Sequence, residues 1–309
     1  MHLRFHTLDV FTRHPFGGNP LAVVLDAEGL SDDLMQAITR EVNYSETVFV
    51  LPPATPSGAC RVRIFTPGGE VPLAGHPTIG TAVLLADLGM VPSSPSGLSF
   101  IMEETIGPIE VWVRRAGDGI GFARFTLSRL PEIGPRPPER AEIARALGLE
   151  PARLAPDDRW AQPMSAGIPF LLVEVADRTA MSSCRLSMEH WRTVLADFWA
   201  PNVFVDCRSP EDGPHVLRAR MFAPAPDITE DPATGSAAAV LAAHLGAADP
   251  LANGVLGWTL LQGVEMGRPS RIEIECEKTA GGIDAVHVGG PAVRVAEGLL
   301  SLPDDCCDA

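Results

Sequence analysis

Short apolar runs alternate along the chain with apolar positions at helical spacing. Leu21, Ala22, Val23, Val24 and Leu25 run unbroken behind a Gly/Pro-rich turn at 15–20, the pattern of a strand buried on both faces. Ser31 then offers an N-cap, Asp32 and Asp33 suit the first helical turn, and Leu34, Ala37, Ile38 and Val42 follow at helical spacing. Residues 47–51 are β-rich and stop at Pro52-Pro53, while 61–65 alternate polar and apolar as a half-buried strand does. Residues 78–88, rich in Ala and Leu, predict a buried helix. Residues 111–113 and 122–125 flank a Gly/Asp turn at 116–119 and predict a hairpin. Beyond a Pro-rich stretch at 130–138 the pattern predicts a helix at 141–147, a strand at 169–175 and an amphipathic helix at 187–198. A strand at 218–222, a small-residue helix at 237–245 and an antiparallel pair at 272–276 and 285–288 complete it. The first nine residues read as an opening strand.

Residues 61–89 overlie 218–246 without a gap, and ten of the 29 positions are identical: Arg61/Arg218, Arg63/Arg220, Phe65/Phe222, Pro67/Pro224, Ala82/Ala239, Val83/Val240, Leu84/Leu241, Ala86/Ala243, Leu88/Leu245 and Gly89/Gly246. A fainter echo pairs Gly18-Asn19-Pro20 with Gly167-Ile168-Pro169, each ahead of an apolar strand. The expectation is an α+β protein of two similar domains from an internal repeat, with a ligand cleft between them. The first domain is placed at 1–130 and the second at 131–309, with the last strands free to cross back to the first.

Composition narrows the function classes. Forty-six per cent hydrophobic residues and 20% charged ones describe a globular chain, and 309 residues suit two domains. The net charge of −15 repels a phosphate backbone and argues against nucleic-acid binding. No apolar run is long enough for a membrane helix and the N-terminus lacks a secretion-type apolar core, so a cytoplasmic protein is expected. The six cysteines Cys60, Cys184, Cys207, Cys276, Cys306 and Cys307 form no CxxC pair and are expected as reduced thiols, the last two in an acidic tail that frays.

Each repeat follows a strand with a polar loop that leads into a buried helix. In the first copy the loop carries Leu73-Ala74-Gly75-His76-Pro77-Thr78, and in the second Glu230-Asp231-Pro232-Ala233-Thr234-Gly235-Ser236. Both deliver small residues to a helix N-terminus, where free N–H groups and the dipole attract anions. A small carboxylate is the expected ligand class.

These loops join Gly18-Asn19-Pro20-Leu21-Ala22-Val23, Asn43-Tyr44-Ser45-Glu46-Thr47 and 262–270 (Gln262 to Ser270) in an order that resembles the PhzF-like family, over nearly the whole chain. The resemblance implies a diaminopimelate-epimerase-like fold, each domain a mixed sheet around a central helix. It implies a homodimeric isomerase that shuttles a proton within a small carboxylic acid, with no metal and no organic cofactor. The family's acid/base glutamate falls on Glu46, its histidine on His76, and its aspartate and serine on Asp231 and Ser236. Ser45, Gly75, Gly235 and Ser236 are the expected substrate-binding residues. Glu46 stands at the edge of an apolar strand, where burial raises a carboxyl pKa toward the range of two-way proton transfer. Members of this fold that epimerise amino acids use one thiol from each loop, and neither loop here holds a cysteine.

Other chemistries lack their signatures. There is no GxxxxGK[ST] phosphate loop, no GxGxxG after a strand, no HExxH and no GxSxG elbow. The alternative to an isomerase is a small-molecule binding protein that keeps the fold without turnover.

Overall fold

The computed structural model describes residues 2–115, 120–156, 160–224 and 228–302. The expected hairpin turn at 116–119 and the acidic tail at 304–309 lie outside them. The chain forms two compact units, Met1–Ser128 with Val288–Ala309, and Arg129–His287.

In the first unit the apolar runs become strands β1 (His2–Val10), β2 (Asn19–Val24), β3 (Glu46–Leu51), β4 (Cys60–Thr66) and β5 (Gly69–Val71), with helix α1 (Asp32–Val42) between β2 and β3. Helix α2 (Gly75–Asp87), then β6 (Leu98–Glu104), β7 (Gly107–Arg115) and β8 (Gly121–Thr126), follow. The remaining strand comes from the far end of the chain, the second half of β17 (Gly282–Ser301), which pairs with β1 from His2↔Ser301 to Val10↔Ala292. β1 pairs β2 antiparallel, β2 pairs β3 parallel, β3 pairs β4 antiparallel and β4 pairs β6 parallel. β6 pairs β7 and β7 pairs β8, both antiparallel, and β8 returns to β17. The eight strands therefore close a ring, which leaves no free sheet edge in it.

Helix α2 lies inside this ring, in contact with β1, β2, β3, β7 and β8. All of its residues from Gly75 to Ala86 are buried, as a helix apolar all round requires. Gly80 makes this possible, since a Cβ there would lie 2.6 Å from Leu21 and from Val10 side-chain atoms. Helix α1 covers the outside, its Met35 and Ile38 packed with Leu3, Val24, Phe49 and Phe65. Ser31 caps it through the Leu34 amide.

The second unit repeats the plan. After β9 (Glu132–Ile133) and α3 (Arg140–Ala146) come β10 (Ala161–Ser165), β11 (Pro169–Glu174), α4 (Arg178–Ser183), α5 (Met188–Val194), β12 (Asn202–Arg208), β13 (Val216–Ala223) and β14 (Ile228–Asp231). Helix α6 (Gly235–Ala248), β15 (Gly254–Gln262), β16 (Ser270–Thr279) and the first part of β17 complete it. The pairings β10/β11 antiparallel, β11/β12 parallel, β12/β13 antiparallel, β13/β15 parallel and β15/β16 antiparallel reproduce those of β1, β2, β3, β4, β6 and β7 in the same sequence. Helix α6 takes the place of α2, buried against β11, β15 and β16. Helices α3 and α5 pack the outer face through Ile143, Leu147, Trp191 and Leu195.

Each unit is thus a mixed sheet around a central helix, the diaminopimelate-epimerase-like α+β fold. The repeat's identical residues have a shared task. Arg63 forks onto Glu70 of β5 at 2.8 and 2.6 Å and lies over the Phe65 ring. Arg220 forks onto Glu230 of β14 at 2.7 and 2.8 Å and lies over Phe222.

Three sequence expectations need adjustment. The helix expected over 187–198 ends at Val194, because the Trp191 indole donates to Pro201 O at 2.8 Å and the chain turns back beneath it. The expected strand at 285–288 is part of a 20-residue strand that begins at Gly282. Both central helices start earlier than predicted, at Gly75 and Gly235. Cys60, Cys184, Cys207 and Cys276 are free and buried. The chain's sole lysine, Lys278, is also buried, its ammonium donating to Gly246 O and Asp249 O at the C-terminal end of α6. Among the described residues no helix is long and apolar enough to cross a membrane.

Candidate active site

The first unit collects four of the predicted residues at the start of α2. The turn from β1 into β2 needs Gly18, whose φ is +61° and whose Cβ would lie 2.2 Å from Val10 O. That turn delivers Asn19, fully buried, at the first position of β2. Across the parallel pair, Leu21 faces Glu46, so β3 begins beside the same spot. Ser45 Oγ donates to Asn19 Oδ1 at 3.2 Å, and Asn19 Nδ2 lies 3.3 Å from His76 Nδ1. On its other side His76 Nε2 lies 3.4 Å from Glu46 Oε2.

The histidine side chain is 4% exposed and the glutamate 14%, so the pair is largely dry but reachable at the carboxylate. Burial pushes the His76 pKa down to about 3, with a hydrogen bond to the Pro20 backbone opposing it, and the ring is neutral at physiological pH. His76 Nε2 is buried without a hydrogen bond among the described residues.

Ala74 precedes α2 with no side-chain cap, and the first turn holds no acid. Pro77 sits in that first turn, where its missing N–H costs nothing. The amides of the opening turn therefore lack a cap from Ala74 and an acid of their own turn, and their partial positive charge lies near Glu46 and His76. Below them, Thr78 Oγ1 lies 2.8 Å from Ala74 O and 2.6 Å from Glu104 Oε1. A hydroxyl has one proton, so Thr78 Oγ1 shares it between the Ala74 carbonyl and the Glu104 carboxyl oxygen. Burial pushes the Glu104 pKa up to about 8, opposed by the hydrogen bond from Thr78.

The second unit collects the other three. Asp231 ends β14, and α6 starts at Gly235 and Ser236 after Thr234, which makes no side-chain cap to its own helix and places no acid in its first turn. Thr234 Oγ1 instead donates to Asp231 Oδ2 at 2.5 Å. Asp231 is 9% exposed, Gly235 buried and Ser236 half-buried.

The loop between Asp231 and Thr234 is held by residues the sequence reading quoted but assigned no role. Gln262 Nε2 donates to Asp231 O at 2.8 Å and to Thr234 Oγ1 at 3.0 Å, while its Oε1 accepts from the Thr234 amide at 3.1 Å. Ser270 Oγ donates to Pro232 O at 2.8 Å. Gly263, at φ +72°, gives room, since a Cβ there would lie 2.6 Å from Pro232 O. Asn19 was likewise missed, although a buried asparagine at a strand start is a readable signal. Among the described residues no three His, Cys, Asp or Glu side chains cluster as metal ligands.

Comparison with known proteins bears on the chemistry. Residues 8–298 match the model of the phenazine biosynthesis-like protein family. The chain is 43% identical to an uncharacterized isomerase of Mesorhizobium japonicum, over 95% of this chain and 97% of that one. It is 36% identical to the trans-2,3-dihydro-3-hydroxyanthranilate isomerase of Pseudomonas aeruginosa, over 97% of this chain and 99% of that one. The crystal structure of a PhzF-family phenazine biosynthesis protein of Bacillus anthracis superposes with a TM-score of 0.83 at 26% identity, covering 98% of this chain and all of that one. With two repeated units built around uncapped central helices, and matches that run nearly end to end, the chain belongs to the phenazine biosynthesis-like family and is an isomerase of the PhzF type.

Proposed function

We propose that this isomerase moves a proton within a small cyclic amino- or hydroxy-carboxylic acid, with Glu46 as the acid/base. The observation that carries the reading is the Glu46 carboxylate 3.4 Å from a neutral, buried His76 at the uncapped start of α2. Glu46 takes a proton from one activated carbon of the conjugated acid and returns it to another carbon on the same face. The C–H bond lost and the C–H bond gained balance, so the reaction needs no external electrons.

The remaining residues bind and polarise. In the first unit His76 is the group suited to a substrate's hydroxyl or amino group, and in the second unit Asp231 is. The Ser236 hydroxyl and the amides of Gly235 and Ser236, at the start of α6, suit a carboxylate, and the Gly75 amide at the start of α2 suits charge that develops during transfer. Ser45 completes the pocket wall next to Glu46. We further read the working form as a cytoplasmic homodimer, which sedimentation and cell fractionation test directly.

The decisive experiment follows deuterium from D₂O into C–H positions of trans-2,3-dihydro-3-hydroxyanthranilate and related small cyclic acids by NMR. Wild type is expected to incorporate label, and Glu46→Gln to lose at least about 10³-fold while still binding. Equal exchange by both proteins removes Glu46 from the chemistry. Binding without exchange by wild type identifies a binding protein instead.

A further inference from the structure

Asn19 has no place in the mechanism above, yet it is fully buried and lies between Ser45 and His76. We propose that Asn19 is a positioning residue that fixes the tautomer of His76, placing the ring proton on Nε2, the nitrogen on the Glu46 side. This rests on the proposed acid/base role of Glu46 and adds the device that orients its partner.

The argument is one of donors and acceptors. Ser45 Oγ–H donates to Asn19 Oδ1, and this sets the amide so that its NH₂ end lies 3.3 Å from His76 Nδ1. An amide NH₂ can only donate. Nδ1 must therefore accept, and a neutral imidazole that accepts at Nδ1 carries its proton on Nε2. That nitrogen lies 3.4 Å from Glu46 Oε2. Donors then run in one direction from Ser45 through Asn19 to His76, and the Nε2–H is left on the side of the carboxylate without a hydrogen bond among the described residues. The opposite tautomer would set Nδ1–H against the amide N–H and an Nε2 lone pair against a carboxylate oxygen. Its one compensating acceptor is the Pro20 carbonyl, which the backbone also offers to the ring. That carbonyl favours a proton on Nδ1, and the two repulsions, at the Asn19 amide and at the carboxylate, outweigh that single bond.

The consequence is chemical. An Nε2–H steadies the Glu46 carboxylate as a base and leaves the same N–H available to a substrate oxygen or nitrogen that comes between them. With the proton on Nδ1 the ring offers neither.

The test is ¹⁵N NMR of histidine-labelled protein near neutral pH, with the His76 signals assigned by their loss in His76→Gln. Wild type is expected to show a protonated Nε2 and a bare Nδ1. Asn19→Leu removes the donor without adding a charge, leaves the Pro20 carbonyl as the neighbour of Nδ1, and is expected to move the proton to Nδ1. Deuterium exchange in that variant is expected to fall about 10²-fold or more, the range seen when a catalytic histidine is held in the wrong tautomer. A wild-type ring protonated on Nδ1 overturns the proposal, and so does an Asn19→Leu ring that keeps its proton on Nε2. The wild-type spectrum decides the matter even if the variant does not fold. Because it reads the ring and not turnover, a failure of the Glu46 mechanism is told apart from a failure of this one.

Discussion

At the scale of single residues, the protein keeps two buried titratable groups in their neutral forms within one turn of α2. His76 has its pKa lowered to about 3 and Glu104 has its pKa raised to about 8. The signs of their stability effects are opposite. The histidine favours the fold fully above its ordinary 6.5 and loses that contribution as pH falls toward 3. The glutamic acid favours the fold fully below its ordinary 4.5 and loses that contribution as pH rises through 8. Glu104→Gln, which keeps an acceptor for Thr78 without a charge to bury, is expected to flatten the alkaline side of a thermal-melt pH profile. The gain at pH 9 is expected to be on the order of a few kcal/mol, and a variant that melts in parallel with wild type across pH 6–9 refutes a neutral, buried Glu104. Glu46 and His76 were legible in the sequence because they stand in short, ordered motifs. Asn19 and Glu104 were not, because their significance lies in which atom faces which, and sequence spacing carries no such direction.

At the scale of elements, the two loops ahead of α2 and α6 are built differently although they occupy equivalent places. The first is tied from below by Glu104 and Thr78, the second from the side by Gln262 and Ser270. Gln262→Ala would leave the Thr234 amide and the Asp231 carbonyl without their partner in a buried setting. A loss of about 2–3 kcal/mol in denaturant unfolding is expected, with faster amide exchange at 231–236. A loss below about 0.5 kcal/mol would mean that the loop holds itself. The strands and helix cores were readable from apolar periodicity, but the helix starts were not. Gly75, Pro77 and Gly235 look like helix breakers in isolation. They are tolerated here because a first turn demands no N–H from proline and leaves its amides without an intrahelical partner in any case.

At the scale of the whole chain, the ring of the first unit depends on a strand that arrives last. Residues 288–301 pair with both β1 and β8, so a chain cut after His287 leaves two unpaired edges around a helix that needs to stay dry. Such a truncation is expected to aggregate or to show no cooperative melt, and a separately added peptide of 288–301 is expected to rescue it in part. A cooperative, monomeric melt from the truncated chain would contradict the closed ring. The duplication was visible in the sequence because Arg63/Arg220 and Phe65/Phe222 make the same fork-and-ring contact in both units. The ring's closure was not visible, since no local pattern joins residue 2 to residue 301.

The lysine beneath α6 has a practical outcome. With its ammonium spent on two carbonyl oxygens out of the solvent's reach, the folded chain presents no ε-amine to an acylating dye, an aldehyde cross-linker or a lysine-cutting protease. Succinimidyl ester treatment of the native protein should leave the tryptic fragment carrying Lys278 unmodified by mass spectrometry, and the same treatment in guanidinium should tag it. That single residue becomes a reporter of unfolding that requires no mutation to install.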